Sequence, residues 1–390
     1  MLSLLRFAWS IPFLILAVSF QSKSPTYGES IRPILAKKCV ACHYEGGNAP
    51  FPLQTYAQTK KRGDLVRLVS LTGQMPPTDA ISDLGELTPH LALTQPELQV
   101  IQDWFRGGMH EGPKTPEIPA DLTSSGETTF DRFVAVGQGK SFPAEGRSAR
   151  AVYALKNLSI PDLSGFTFKP FAPKAVRQAA LAIQRKGEPV PFTSTGIRPG
   201  TLVATWAPGY YAWGASKAAF PIATGDRLWL QVRAVPTGKV EPAGGMIGFK
   251  SLGIRNLIKT KTLGTKEIFI PAEAQIRLRD EWTLEEDIDL ISIFPESRFT
   301  TEQVRATVIE NGQEKLLLVV LTWDAVWPGA YNFKNAIHLR KGTKIVWEAL
   351  INNSRHGHFA DGGKTKNVRF GPYPDNEIFW CHLQYVSRKQ

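Results

Sequence analysis

Cysteine is scarce in this chain, with three residues in 390, at positions 39, 42 and 381. Two of them stand in one short motif, which leaves Cys381 without a partner and excludes a fold stapled by intrachain disulfides. Beyond the first twenty residues no apolar run is long enough to cross a bilayer. The net charge of +11 comes without a Lys/Arg block or a nucleic-acid module, so a nucleic-acid partner is not expected. Scattered charge of this kind solvates a surface, and it would favour an acidic redox partner or an anionic membrane surface. Also missing are a Ser-His-Asp spacing, a phosphate loop and a carboxylate pair, so no catalytic residue is assigned. Glu285-Glu286-Asp287 reads as a turn.

What is present begins with Cys39-Val-Ala-Cys42-His43. CxxCH is the attachment signature of c-type haem: two thiols form thioethers to the vinyl groups, and the adjacent imidazole is held under the iron. One covalent haem c is therefore expected, on Cys39 and Cys42, with His43 as an axial ligand. The first residues agree with that chemistry. A basic Arg6, an apolar run from Phe7 to Val18 and the small residues Ala17 and Ser19 read as a secretory signal over 1–19. An uncleaved anchor is the alternative, and it would be the membrane contact. Export to the periplasm or cell envelope follows.

Helical periodicity marks Tyr27–Lys37 through Ile31, Ile34 and Leu35, and Thr55–Leu71 through Leu65, Leu68 and Val69. Thr94-Gln-Pro-Glu97 is a capping box opening a last helix whose apolar face is Leu98, Ile101, Trp104 and Phe105, stopped by Gly107-Gly108. Residues 26–111 thus predict a small all-α, class-I-like cytochrome c domain. Its sixth iron ligand is Met75, in Gly73-Gln-Met-Pro-Pro-Thr78, where two prolines hold the chain extended. Met/His ligation raises the haem potential and suits electron transfer. Were Met75 not bound, the site would be open to small gases or peroxide. Residues 112–128 lack periodicity and read as a linker. Short strands then alternate with Gly, Pro and Asn turns, among them Leu228–Val232, Lys315–Leu321 and Lys344–Leu350, and predict two β-sandwiches.

A resemblance covers nearly the whole chain. Ala49-Pro-Phe-Pro-Leu-Gln-Thr-Tyr56 and the Met75-Pro-Pro segment resemble the cytochrome module of bacterial proteins that fuse haem c to a copper type II, ascorbate-dependent monooxygenase region. Gly200–Gly209, Gly225–Gly238, Leu290–Pro295 and Asp375-Asn-Glu377 are similar to that region. The resemblance implies two tandem jelly-roll-like sandwiches over 129–255 and 256–390, related to peptidylglycine and dopamine hydroxylases, with two coppers held by histidines and one methionine. This chain departs at each ligand segment. A His-His pair corresponds to Arg177-Gln178, Gln-x-His-Tyr corresponds to Gln231-Val232-Arg233-Ala234, and His-Met-His corresponds to Glu296-Ser297-Arg298. The methionine after Asp-Glu corresponds to Ile378. Arginine offers no lone pair and isoleucine has no donor, so the resemblance implies a copper-free scaffold.

Three function classes remain in view. One is an exported electron-transfer protein whose sandwiches dock a redox partner or an envelope complex. Another is an oxygenase with an unusual copper at His356, His358 and His382, with Asp361 close behind the first two. The third is a redox or gas sensor. His90, His110 and His338 have no partner pattern, and Cys381 reads as a buried thiol. Elemental analysis of protein from a haem-maturing host separates them first: one iron and no copper per chain, even after copper loading, is the expected result. Stoichiometric copper retained through dialysis would overturn the ligand-loss reading.

Overall fold

Strand is the commonest regular structure among the described residues. The computed structural model describes residues 24–77, 80–88, 91–120, 130–155, 160–189, 198–209, 213–215, 217–253, 256–327, 329, 331–357, 365–371, 373 and 375–388. The signal segment over 1–19, His90, residues 121–128 of the expected linker, His358 and Asp361 lie outside the described residues.

The strands form two pairs of antiparallel sheets. In the first pair, Ala149–Leu155, Arg227–Ala234, Val176–Gln184 and Thr201–Trp206 lie side by side in that order. They pack against a sheet of Trp213–Gly214, Gly165–Pro170, Gly245–Lys250 and Arg132–Val136. Side chains alternate across a strand, so Leu228, Leu230, Val232 and Ala234 enter the core with Phe166, Leu181 and Ile247. The Val176–Gln184 strand shows no such polarity, and all of it is buried. A sheet covered on both faces needs no polar side. Its second face lies against the other sandwich, from which Gln384 Nε2 donates to the Val203 carbonyl at 2.7 Å and Phe294 joins this core.

The second pair is larger. Gln313–Val320, Thr301–Glu310, Lys344–Asn352 and Gln275–Thr283 make one layer. Ile258–Thr265, Phe379–Ser387, Ile288–Glu296 and Tyr331–Leu339 make the other. Trp347 stacks on Phe379 at 5.8 Å in the core between them. Strand positions expected from the sequence fall inside these elements, except that the Gln313 strand ends at Val320, one residue short of Leu321.

Helices are few and short. A π-helical turn Tyr27–Ile31 leads into α1, Arg32–Lys38. Then come α2, Tyr56–Lys61, α3, Gly63–Leu71, and α4, Gln95–Arg106, at 12 residues the longest among the described residues. The Thr94–Glu97 capping box forms as read, and Trp104 of α4 packs on Tyr27 at 6.5 Å. The helix expected over Thr55–Leu71 breaks at Arg62 (φ −115°, ψ 11°). A side chain at Gly63 would collide with the Met109 sulfur at 2.2 Å, so the chain restarts there on glycine. Val66, rather than Leu65 or Leu68, is the buried residue of α3; Leu68 is 49% exposed.

The expected small all-α, class-I-like cytochrome domain is therefore not what forms. The chain is predominantly β-sandwich, and the helical segment, though it has a small core of its own around Tyr27, Leu35, Trp104 and Ile118, is built into the second sandwich. Two strands inside it, β1 (Ala80–Ile81) and β2 (Leu87–Thr88), complete the edges of both layers of the second sandwich. Ala80 pairs with Val320, and Leu87 with Phe333. Two-residue strands carry no periodicity, which is why the sequence hid this join. The first part of the expected linker is also fixed: Ile118 and Gln54 exchange backbone and side-chain hydrogen bonds at 2.9 Å, and Ile118 is buried. Leu87 lies in the second core, so Leu87→Ala is expected to cost about 2–4 kcal/mol, read by urea unfolding through tryptophan fluorescence.

Candidate functional site

Where α1 ends, the backbone makes one tight loop. Cys42 N and His43 N both donate to the Cys39 carbonyl, at 3.1 and 3.0 Å. This loop brings Cys39, Cys42 and His43 to one apolar cavity of ≈ 260 Å³. Burial pushes both thiols up to about 12, with the neighbouring Cys42 adding to the effect on Cys39, so both are protonated at neutral pH. Burial also lowers the His43 pKa against the opposing hydrogen bond to Phe51, keeping the imidazole neutral. Its Nδ1 lies 2.9 Å from the Phe51 carbonyl oxygen. A carbonyl can only accept, so the proton sits on Nδ1 and Nε2 keeps its lone pair.

Met75 reaches the same cavity from α3. The chain turns at Gly73 (φ +69°), and Gln74 N and Met75 N both donate to the Val69 carbonyl. Pro76 and Pro77 follow on the cavity wall, with Leu65, Val66 and Val69 beside them. Of the described methionines, Met75 alone lines the cavity. The wall is completed by residues far along the chain: Ala207-Pro208-Gly209 from the first sandwich and Trp327 from the second. Gly209 (φ +78°) is required there, since a Cβ would stand 3.2 Å from Cys42 Sγ in a strained backbone region. Sequence reading missed Trp327. Gly209 stood in the quoted Gly200–Gly209 segment without a role.

A second pocket, ≈ 30 Å³, lies between the sandwiches. Five of the six positions that the resemblance set against copper ligands line it: Gln178, Arg233, Glu296, Arg298 and Ile378. The sixth, Arg177, stacks 4.7 Å over the Trp327 ring, between this pocket and the cavity. Arg150, Arg198, Gln231, Ser297 and Trp380 complete the lining, and of these Arg150 and Arg198 carried no sequence signal. Glu296 is clamped by Arg198 through two bonds, Nη1–Oε1 at 2.9 Å and Nη2–Oε2 at 2.8 Å. His382 Nε2 approaches the same carboxylate at 2.9 Å. Burial alone would raise the Glu296 pKa, but the Arg198 charge and the His382 contact outweigh it and hold the carboxyl well below its usual value.

This donor set does not fit copper. His382 is neutral because burial overcomes the pull of Glu296, and its Nδ1 is engaged by Thr262 Oγ1 at 2.9 Å. Neither ring nitrogen is left to a metal. His356 follows the Lys344–Asn352 strand in a loop whose next histidine, His358, lies outside the described residues. The arginines have no lone pair to offer. Cys381, by contrast, stands where the sequence put it, buried on the Phe379–Ser387 strand with its thiol held well above its usual pKa by burial.

No protein-family model matches this chain, and none of the curated proteins does. Among solved structures, the stem and receptor-binding domain of spike protein P1 from bacteriophage PM2 aligns at 8% identity and a TM-score of 0.15, over 63% of this chain and 98% of that one. The C-terminal globular domain of an oligosaccharyltransferase from Pyrococcus abyssi aligns at 12% identity and 0.12, over 64% of this chain and about half, 52%, of that one. Likeness at this level carries no argument about fold or function.

A carboxyl held low in the folded chain stabilises it above the unfolded value of ~4.3, and that contribution fades as pH falls toward the folded value. Glu296→Gln is therefore expected to cost about 3–5 kcal/mol at neutral pH. The gap from wild type should narrow as the solution is taken below pH ~4, where the unfolded carboxyl takes up a proton that the folded one still refuses. Urea titrations of both proteins across that range measure it.

Proposed function

We propose that the cavity carries one covalent haem c and that the protein is an exported electron-transfer protein. The observation that carries the reading is the convergence of both thiols, a neutral His43 with Nε2 free, and Met75 on one apolar cavity. These residues fit the group. Cys39 and Cys42 would hold the porphyrin edge, and His43 and Met75 would supply the axial nitrogen and sulfur. Haem bound there would supply one-electron exchange between ferrous and ferric iron.

The chain's own residues tune that exchange. The Phe51 carbonyl accepts from His43 Nδ1–H, which fixes the ring and raises the basicity of Nε2. The apolar wall of Leu65, Val66, Val69 and Trp327 excludes water, and a thioether ligand in such surroundings favours the reduced state. Gly209 keeps the approach to Cys42 clear. The sandwiches act as scaffold: they close the cavity and offer surface to a redox partner in the periplasm or an envelope complex. The departures at Arg177, Gln178, Arg233, Glu296, Arg298 and Ile378 support a scaffold without copper chemistry.

Protein made in a haem-maturing host should keep haem through denaturing electrophoresis. Its reduced form should not bind carbon monoxide, because Met75 fills the sixth position. Met75→Ala should keep covalent haem, bind carbon monoxide and lower the midpoint potential. Cys39→Ala/Cys42→Ala should lose covalent haem. Rapid carbon monoxide binding by reduced wild type would replace electron transfer with gas binding, and absence of covalent haem in wild type would end the reading.

A further inference from the structure

The pocket between the sandwiches holds more positive charge than its own acids balance. Arg150 and Arg233 stand directly opposite each other on neighbouring strands, and Gln178 pairs with Arg233 on the other side. Like charges placed so are destabilising unless something lies between or before them. Arg298 enters from the second sandwich, 2% exposed. Within electrostatic reach are five guanidiniums (Arg150, Arg177, Arg198, Arg233 and Arg298) and three carboxylates, Glu296, Asp324 and Glu377. Even with all three ionised, an excess of two positive charges is left. Burial and mutual repulsion push Arg233 and Arg298 down to about 9 and Arg150 to about 10.

Two of the three acids are already committed. Glu296 is spent on Arg198 and His382. Glu377 accepts from Arg298 N, Ile378 N and Thr300, and so serves the loop backbone rather than a guanidinium. Arg298 Nη1 donates to the Tyr373 carbonyl at 2.7 Å. Its other edge, Nε and Nη2, is buried with no hydrogen-bond partner. Those two atoms are the side-on fork with which arginine takes a planar, two-oxygen acceptor.

We infer that this pocket is an anion site that binds one small planar oxyanion, of the carboxylate, bicarbonate or nitrate class, on the open Nε/Nη2 edge of Arg298 facing the Arg150–Arg233 pair. Its size agrees: ≈ 30 Å³ is room for about two waters, hence for an anion of roughly three or four heavy atoms. Gln178 and Gln231 add neutral donors at the first-sandwich wall. The occupant would offset one of the two surplus positive charges at the seam where the two sandwiches meet and so strengthen their docking. The site owes nothing to the haem reading.

Holoprotein dialysed into Hepes free of small anions provides the test. Equilibrium dialysis with radiolabelled formate should show one saturable site per chain, displaced by nitrate and bicarbonate far more readily than by chloride. Millimolar formate should raise Tm by ~3–5 °C at matched ionic strength. Arg298→Met should lose both effects. Gln178→Glu, which tethers a carboxylate in the pocket, should bind no formate and melt near the temperature of formate-saturated wild type; it also decides the matter if Arg298→Met does not fold. No saturable formate binding, binding unchanged in Arg298→Met, or equal displacement by chloride and nitrate would each overturn the assignment.

Discussion

Charge is buried where the two sandwiches meet, and the way it is paired governs how they sit. A carboxylate taken out of water is tolerated only with partners for its lone pairs. Glu296 takes two parallel bonds from Arg198 of the first sandwich and one contact from His382 of its own. A forked ion pair has directional demands that apolar packing lacks. The ion pair ties the segment before Thr201–Trp206 to the end of Ile288–Glu296, while Phe294, Thr260 and Gln384 fill the contact around it. The second sandwich rests on the sheet of the fully buried Val176–Gln184 strand, through the neighbouring Thr201–Trp206 strand, whose Leu202 and Val203 carbonyls accept from Thr260 and Gln384.

The cavity at Cys39–His43 depends on that docking in turn. Its floor comes from the helical segment, but Gly209 belongs to the first sandwich and Trp327 to the second. Arg177 lies across Trp327, and Asn48 of the helical segment donates to the Val176 carbonyl at 2.8 Å. Three parts of the chain therefore share one wall. A site of this kind is rigid in proportion to the contact between its parts.

Local signals were readable in the sequence because they depend on neighbours a few residues away. The Thr94–Glu97 box, the Cys39–His43 loop and the extended Met75-Pro-Pro segment are of this type. What escaped was set by distant contacts. The helix break at Arg62 answers to Met109, and the all-α reading failed because residues 80–88 pair with strands more than two hundred residues away. Gln178, Arg233, Glu296, Arg298 and Ile378 could be named singly, as losses relative to a resemblance. Their meeting in one pocket, with Arg150 and Arg198 among them, needed the fold.

The two short strands β1 and β2 impose an order on the birth of the molecule. They are made early, yet their partners, Gln313–Val320 and Tyr331–Leu339, emerge more than two hundred residues later. Pairings so remote in sequence are slow to close. The Trp327 wall of the cavity at Cys39 and Cys42 comes from the same distant part of the chain, so the cavity is complete only once that part has folded.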